Sequence, residues 1–278
     1  MELKEVEEKD TVIIYNNSSF SNMKKNNLPN VLRGGAIFEV TDPRQARVAE
    51  EAGAICLLVS EPSPRGIIRM PDPSLIKKIK NSVTIPIMAR VRVGHFVEAQ
   101  IMASIGVDFI DESEILALAD EDNHINKSKF GTPFVCGCRD LGGALRRIGE
   151  GAKIIRYQGE GLAGGGNICK TVKSVRDVMK GVRVVSNMNE DEVFSFAEKI
   201  AAPNDLVART KRLSRLPVVQ FAAGGIVTPA DAAMMMQLGC DGVFIGNSVF
   251  QCQEPLDTAR AIVRAIRHYE DVSSFFRD

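Results

Sequence analysis

Short apolar runs alternate with amphipathic segments from residue 36 towards the end of the chain. Apolar runs of about five residues are typical of buried strands, while apolar positions spaced three and four apart are typical of helices that pack on a sheet. The alternation therefore predicts repeated strand–helix units. The eight predicted strands are Ala36–Val40, Ala54–Val59, Ile85–Ala89, Val107–Asp111, Pro133–Cys136, Lys153–Arg156, Pro217–Phe221 and Gly242–Ile245.

Predicted helices fill the intervals between the strands. They span Pro43–Ala52, Asp72–Asn81, Phe96–Ile105, Leu141–Glu150, Ile168–Met179, Asp191–Lys199, Pro229–Leu238 and Pro255–Tyr269. Four joints between a helix and the next strand carry a glycine, which commonly ends a helix in the left-handed conformation: Gly53, Gly106, Gly151 and Gly239. Residues 181–215 exceed what one connection requires, so this segment is predicted to hold one or two extra helices between strands 6 and 7.

Eight such units predict the α/β fold class and a single (β/α)8 TIM barrel. A doubly wound parallel sheet is the alternative, but such sheets usually contain fewer strands. We expect the barrel domain to span residues 31–278. Residues 1–30 are predicted to form a loosely ordered N-terminal arm, because several asparagines and Pro29 interrupt any helical period there.

The charge balance is even, with 35 Lys and Arg residues against 35 Asp and Glu residues, so no overall field draws the protein to nucleic acid or to a membrane. The chain has no apolar run of about 18 residues and no hydrophobic signal core at its start, which predicts a soluble, cytoplasmic protein. The six scattered cysteines suit reduced thiols better than disulfides, and Cys136 and Cys138 are too close together for a zinc site. We therefore expect no metal and no cofactor.

In a barrel of this kind, functional side chains lie at the C-terminal ends of the strands and in the loops that follow. This rule selects Glu39, Ser60, Glu61, Arg90, Asp111, Glu112, Cys138, Arg139, Arg156 and Gln158. Asp108, Asp111, Glu112 and Glu114 could orient a base or bind basic side chains nearby. His95 and His124 lack partners at metal spacing, and we expect a capping or intersubunit role for them.

Two glycine turns have the composition of phosphate cradles. Gly224 and Gly225 follow strand 7, and Gly246, Asn247 and Ser248 follow strand 8. Backbone amides at such turns can hold a phosphate dianion, although glycines there also serve tight turns. A third glycine-rich segment, residues 159–166, is either a flexible connection or a cover over a ligand.

Five segments resemble the synthase subunit of glutamine-dependent pyridoxal 5′-phosphate synthase, the SOR/SNZ family. They are Ile85–His95, Val107–Glu114, Pro133–Asp140, Phe221–Asp231 and Met236–Gly246, and the resemblance extends from about Arg33 to Tyr269. It implies a (β/α)8 barrel that assembles into hexamers and dodecamers. It also implies ribose 5-phosphate, glyceraldehyde 3-phosphate and ammonia as substrates, with the ammonia supplied by a separate glutaminase subunit.

The resemblance further implies a reaction through imines, with one lysine at the end of the third strand, a second at the end of the sixth and an aspartate at the end of the first. In this chain Arg90, Gln158 and Glu39 occupy these three positions. A guanidinium stays protonated at physiological pH and glutamine has no basic amine, so neither forms a Schiff base. Lys127, Lys129 and Lys153 are candidates to substitute for the two lysines, but none of the three lies at the C-terminal end of a predicted strand.

The phosphate-binding positions match the family better. Gly225 and Gly246 match its pentose phosphate site, while Asn247 replaces the serine that follows the latter and still supplies a backbone amide. Arg176 matches a residue that contacts the triose phosphate, and Gly164 falls near a loop glycine. In contrast, the loop after the second strand is short, and Pro29 breaks the N-terminal helix that docks the glutaminase. These differences weaken the case for closure over a sugar and for glutaminase docking.

The pattern resembles the non-catalytic paralogue that plants carry beside their catalytic synthase subunits. We therefore expect a pseudoenzyme that forms hetero-oligomers with catalytic homologues, associates with itself, and supports or regulates vitamin B6 biosynthesis. One alternative is an active synthase subunit in which another lysine substitutes. The other is a sensor that binds a sugar phosphate without turnover.

Overall fold

Eight parallel strands form a closed barrel in the computed structural model of the chain, which describes residues 28–61, 69–120, 122–158 and 166–276. The strands are β1 (Gly35–Val40), β2 (Cys56–Val59), β3 (Ile87–Arg92), β4 (Phe109–Ser113), β5 (Phe134–Cys138), β6 (Ile154–Gln158), β7 (Val219–Ala223) and β8 (Gly242–Ile245). Each strand pairs with the next along the chain, and β8 closes the barrel on β1. The predicted (β/α)8 barrel is confirmed, and the doubly wound alternative is wrong.

Most of the described helices cover the outside of the barrel, while α1 contributes Leu28 to the apolar layer inside it. They are α1 (Leu28–Val31), α2 (Pro43–Ala52), α3 (Pro73–Lys80), α4 (Phe96–Ile105), α5 (Leu141–Gly149), α6 (Ile168–Ser186), α7 (Val193–Lys199), α8 (Asn204–Leu213), α9 (Pro229–Gln237) and α10 (Pro255–Arg267). Short 3-10 helices span Lys127–Lys129, Glu190–Glu192, Asn247–Gln251 and Val272–Phe276. The predicted glycine joints are confirmed by positive φ angles at Gly53, Gly106, Gly151 and Gly239.

Strand side chains alternate between two apolar layers, as the pleat of a strand requires. One layer fills the inside of the barrel and includes Ile37, Phe109 and Phe221. The other lies between the strands and the helices, where residues such as Phe38 pack with helix residues such as Ile262. The alternation decides which charged side chains near the strand ends point into the barrel.

Several strands continue farther than the apolar runs predict. The prediction ends β3 at Ala89, but the strand continues to Arg92, and β6 continues past Arg156 to Gln158. β3 also begins at Ile87, after Pro86, whose nitrogen has no hydrogen to donate to a strand ladder. Because β3 extends to Arg92, Arg90 lies inside the strand and not in the loop after it, and its side chain faces the interior of the barrel.

The connection between β6 and β7 holds the extra helices that its length predicts. α6 continues to Ser186, beyond the predicted end at Met179, because buried Val182 and Val185 prolong its apolar face. α7 and α8 follow before β7 begins. α8 is not delimited in the sequence prediction, although it falls inside the segment predicted to carry extra helices.

The connection between β4 and β5 has a different form. Among its described residues, the regular structure is the 3-10 helix Lys127–Lys129, with no α-helix. Glu112, fully buried on β4, accepts hydrogen bonds from the backbone N–H groups of Gly94 and Ile125, over 3.1 and 2.8 Å. A buried carboxylate thus holds in place a connection that has no helix to pack against the strands.

The described part of the chain starts with α1, so residues 1–27 of the predicted arm lie outside it. Leu28 and Leu32 are buried in the apolar layer inside the barrel. Pro29 does not break α1, because it stands in the first turn, where no helical hydrogen bond needs its N–H. None of the helices in the described residues is both long and apolar enough to cross a membrane.

Candidate functional site

An arginine and a glutamate face each other inside the C-terminal end of the barrel. Glu39 on β1 and Arg90 on β3 point inward and are 7% and 5% exposed. Nη1 of Arg90 donates to Oε1 of Glu39 over 2.7 Å, and Nη2 donates to Oε2 over 3.3 Å. The pair is therefore bidentate, the strongest geometry for a guanidinium and a carboxylate.

Asp111 on β4 joins this pair to a second arginine. Its Oδ2 accepts from Nε of Arg90 over 3.4 Å, and its Oδ1 accepts from Nη2 of Arg156 over 3.1 Å. Asp111 and Arg156 are both fully buried. We call Glu39, Arg90, Asp111 and Arg156 the interior ion network.

Arg156 also has partners at the end of β4. Its Nη2 donates to Oγ of Ser113 over 3.1 Å and to Oε2 of Glu114 over 3.4 Å. Gly137 on β5 makes room for Glu114, because a Cβ at position 137 would lie 2.2 Å from that same Oε2. The predicted binding of basic side chains by the acidic end of β4 is confirmed.

The contact between Glu39 and Arg90 keeps both of these groups charged. Burial alone would raise the pKa of the Glu39 carboxyl, but the charge and hydrogen bonds of Arg90 outweigh burial and hold that pKa below its usual value. Burial would lower the pKa of Arg90, but Glu39 and Asp111 raise it above its already high value. Arg90 is therefore a permanent cation and has no free electron pair with which to attack a carbonyl.

A cleft opens above the network at the C-terminal end of the barrel. It encloses about 520 Å³, part of which is open to solvent. The residues around it are Glu39, Arg90, Ile115, Gly166, Ala223, Gly224, Gly225, Ile226, Val227, Phe244, Ile245, Gly246 and Ser248. The cleft thus has an ionic floor, an apolar wall and a rim of glycines.

The glycine rim depends on close contact between two backbones. A Cβ at position 166 would lie 2.2 Å from Cα of Gly224, and a Cβ at position 225 would lie 2.3 Å from the backbone nitrogen of Ile168. Oγ1 of Thr171 donates to the carbonyl of Gly224 over 2.7 Å. The first turn of α6 is therefore packed directly on the turn that follows β7.

A second ionic cluster lies on the outer side of β4. Nζ of Lys127 is 2.8 Å from Oε2 of Glu112 and 3.2 Å from Oε2 of Glu150. Nδ1 of His124 lies 3.3 Å from Oε1 of Glu112. The sequence gives no local signal for this cluster, because its members come from β4, from the following connection and from the end of α5.

A model of the SOR/SNZ family matches residues 21–223. The chain belongs to the SOR/SNZ family. It is 58% identical to the probable pyridoxal 5′-phosphate synthase subunit PDX1 of Hevea brasiliensis, over 94% of this chain and 87% of that protein. A model of the thiazole biosynthesis protein ThiG matches residues 198–270.

Two Arabidopsis thaliana relatives bear on whether this SOR/SNZ chain is more similar to a synthase subunit or to a synthase-like subunit. It is 57% identical to the pyridoxal 5′-phosphate synthase-like subunit PDX1.2, over 95% of this chain and 87% of that protein. It is also 57% identical to the pyridoxal 5′-phosphate synthase subunit PDX1.3, over 94% and 87%. Overall identity shows no preference for the synthase-like relative, so the expected special closeness to a non-catalytic paralogue does not follow from it.

A solved structure supports the fold of this SOR/SNZ chain. The thiamine phosphate pyrophosphorylase from Pyrococcus furiosus superposes with a TM-score of 0.50 at 12% identity, over 86% of this chain and 99% of that one. At this identity the likeness concerns the barrel architecture alone.

The structure brings together only part of the site predicted for this SOR/SNZ chain. Glu39, Arg90, Gly225 and Gly246 line the same cleft. Asn247 begins the 3-10 helix after Gly246, and the neighbouring Ser248 lines the cleft. The sequence therefore predicts residues in two parts of the cleft, the ionic floor and the glycine rim.

The structure does not assign the other predicted positions to the cleft. Gln158 is the last residue of β6, and Gly164 lies outside the described residues. Arg176 is exposed on α6 and is not among the described residues that line the cleft. His95 caps α4, since its Nδ1 accepts from the backbone N–H of Glu98 over 3.2 Å, as the expected capping role requires.

All six cysteines are free thiols, with Cys56, Cys136, Cys138 and Cys240 buried and Cys169 and Cys252 exposed. Burial raises the pKa of the Cys136 thiol well above its usual value, so this residue remains a neutral thiol. Over the described residues, no group of three or more His, Cys, Asp or Glu side chains is arranged to hold a metal ion. The described chemistry of the cleft is thus that of a fixed ion network and a set of backbone amides.

Proposed function

We propose that this SOR/SNZ chain is a non-catalytic homologue of the pyridoxal 5′-phosphate synthase subunit that co-assembles with catalytic homologues and supports vitamin B6 biosynthesis. The proposal rests on one observation above all. Arg90 stands at the position that the resemblance assigns to an imine-forming lysine, and Glu39 and Asp111 hold it by three hydrogen bonds. An arginine held by these hydrogen bonds binds two carboxylates and forms no covalent bond with a sugar.

Two further residues support the loss of catalysis. Gln158 stands at the position that the resemblance gives to the second lysine, and an amide nitrogen is not basic. Lys127, one candidate substitute, is 4% exposed and pairs with Glu112 on the outer side of β4. Of the lysines in the described residues, none lines the cleft.

Co-assembly is supported by the family. SOR/SNZ proteins typically form oligomers, and the relatives named above are called subunits. This chain keeps 57–58% identity to them over 94–95% of its length. A partner subunit without activity must still match its homologues at the contact surfaces, and overall identity of this size supports such a match.

A phosphosugar sensor is the second candidate function. Its support is the glycine rim of the cleft, where the backbone N–H groups of Gly224, Gly225 and Gly246 donate to no backbone carbonyl of another described residue. Backbone N–H groups with no backbone acceptor, on residues that line a cleft, suit a phosphate group. A sensor would use this rim without the covalent step.

The proposal predicts that the isolated protein makes no pyridoxal 5′-phosphate from ribose 5-phosphate, glyceraldehyde 3-phosphate and ammonium. Absorbance of the product measures synthesis, and borohydride reduction with ribose 5-phosphate, followed by mass spectrometry, measures imine formation. The Arabidopsis thaliana subunit PDX1.3 serves as the comparison protein. In the Arg90→Lys/Gln158→Lys double variant, the returned amines should give a trapped adduct that the unchanged protein does not give. Synthesis or an adduct with the unchanged protein would refute the proposal.

Co-assembly is tested by native mass spectrometry of this protein produced together with the subunit PDX1.3. We expect complexes that contain both chains, because two subunits of one family present matching surfaces to each other. The same measurement on each protein alone provides the reference masses. Detection of separate homo-oligomers with no mixed species would remove co-assembly from the proposal and leave the sensor as the better candidate.

A further inference from the structure

The interior ion network joins strands that are not neighbours in the barrel. β2 lies between β1 and β3, and β5 lies between β4 and β6. The ion pair of Glu39 and Arg90 passes over β2, and that of Asp111 and Arg156 passes over β5. Because Arg90 and Asp111 are register partners on adjacent strands, the contacts continue without interruption from β1 to β6.

The two strands under the network carry uncharged residues in register with its members. β2 places Leu58 in register with Glu39, and Leu58 belongs to the apolar layer inside the barrel. β5 places Gly137, which has no side chain, in register with Arg156. At these register positions, neither β2 nor β5 adds a charged group to the network.

The network is balanced in charge and removed from water. It contains two guanidinium groups and two carboxylates, on side chains that are 0% to 9% exposed. An isolated charge in a protein interior is strongly unfavourable unless a counter-charge compensates for it. Removal of one member leaves its partner uncompensated, whereas removal of a matched pair does not.

We propose that the interior ion network is a structural device, with Arg90 as its central member, which fixes the C-terminal end of the barrel by joining β1, β3, β4 and β6. In this role Arg90 is bound to the protein's own carboxylates on both sides. The inference goes beyond the proposed function, because it concerns how the barrel holds its shape and applies whether or not the chain assembles with homologues.

The experiment is a double-mutant cycle in the full chain, with Arg90→Met, Glu39→Gln and the double variant. Thermal unfolding is followed by circular dichroism at one protein concentration, and the oligomeric state of each variant is measured alongside. Each single change should lower the unfolding midpoint by on the order of 10 °C. The double change should lower it by no more than the larger single change, because neither charge is then left alone.

The matched control is an exposed pair of the same residue types. Nη2 of Arg260 lies 3.0 Å from Oε1 of Glu51, with side chains 47% and 60% exposed. The variants Arg260→Met and Glu51→Gln should each shift the midpoint by about 2 °C or less and should add in the double variant.

Three results would overturn the proposal: additive shifts at Arg90 and Glu39, shifts as small as those of the surface pair, or a double variant less stable than both singles. If Arg90→Met does not fold, Arg90→Lys replaces it. A lysine keeps the charge but cannot bind both oxygens of Glu39 and Asp111 at once, so its midpoint should still fall; an unchanged midpoint would also refute the network. These readouts are independent of the synthesis and assembly assays, so the two proposals can fail separately.

Discussion

Replacement of Glu112 by glutamine is expected to lower the free energy of unfolding by roughly 3–5 kcal/mol. Oε2 of Glu112 pairs with Nζ of Lys127 over 2.8 Å, and both side chains are at most 1% exposed. A glutamine would keep one oxygen for the backbone N–H groups of Gly94 and Ile125 but would leave the Lys127 ammonium without its buried counter-charge. Chemical denaturation of the purified variant measures the loss.

The control for this prediction is Glu150→Gln. Glu150 also contacts Lys127, over 3.2 Å, but its side chain is 34% exposed and water can replace it. We expect a loss of about 1 kcal/mol or less. Equal losses in the two variants would show that Lys127 does not depend on the buried carboxylate.

The same residue predicts a dependence of stability on pH. Burial would raise the pKa of Glu112, but the neighbouring His124, whose Nδ1 lies 3.3 Å from Oε1 of Glu112, and the charge of Lys127 lower it from 4.5 to about 2. Because the folded pKa is lower than the unfolded one, this group stabilises the fold above pH 4.5, and the contribution is lost as the pH falls from about 4.5 to about 2. A difference of this size corresponds to roughly 3 kcal/mol, which the Glu112→Gln variant should lack in an acid titration of stability.

Gly225→Ala is expected to lower the free energy of unfolding by about 3–5 kcal/mol. The residue has a φ of +71°, and a Cβ there would lie 2.3 Å from the backbone nitrogen of Ile168. An alanine must therefore adopt an unfavourable backbone conformation and also push the start of α6 away from the β7 turn. Chemical denaturation gives the stability.

Gly34→Ala separates the effect of the backbone conformation from the effect of the close contact with α6. Gly34 has nearly the same φ, +73°, but a Cβ there would have no neighbour within 4 Å. The control should lose only the backbone part, about 1 kcal/mol. Calorimetry with ribose 5-phosphate on the same two variants tests the sensor: binding should survive in Gly34→Ala and disappear in Gly225→Ala. Equal stabilities of the two variants would contradict the close contact.

Local patterns were sufficient for the architecture. Each apolar run that separates two amphipathic segments corresponds to a strand, and each glycine at a helix–strand joint has a positive φ. These features depend on neighbours in the sequence, so the sequence alone reveals them. The glycines after β7 and β8 were recognised for the same reason, because their position after a barrel strand is itself a local signal.

The roles of the side chains that form the site were harder to predict from the sequence. The apolar run of β3 stops at Ala89, so nothing local indicates that Arg90 stays in the strand; carboxylates from β1 and β4 make that possible. The roles of Glu112 and Lys127 likewise depend on residues from separate segments. Arg176 was selected by resemblance to the family, and in this chain it lies exposed on α6, away from the described cleft lining.

The direct backbone contact between Gly166 and Gly224 has a consequence for the way this barrel tolerates sequence change. On the side of β1, β3 and β4, whether the fold tolerates a substitution depends mainly on the charge of the new side chain and less on its size. On the side of α6 and β7, the tolerance depends on the volume of the new side chain, and even one added methyl group is too large. Variation among related chains should therefore conserve electrical balance along one arc of the rim and smallness along the other.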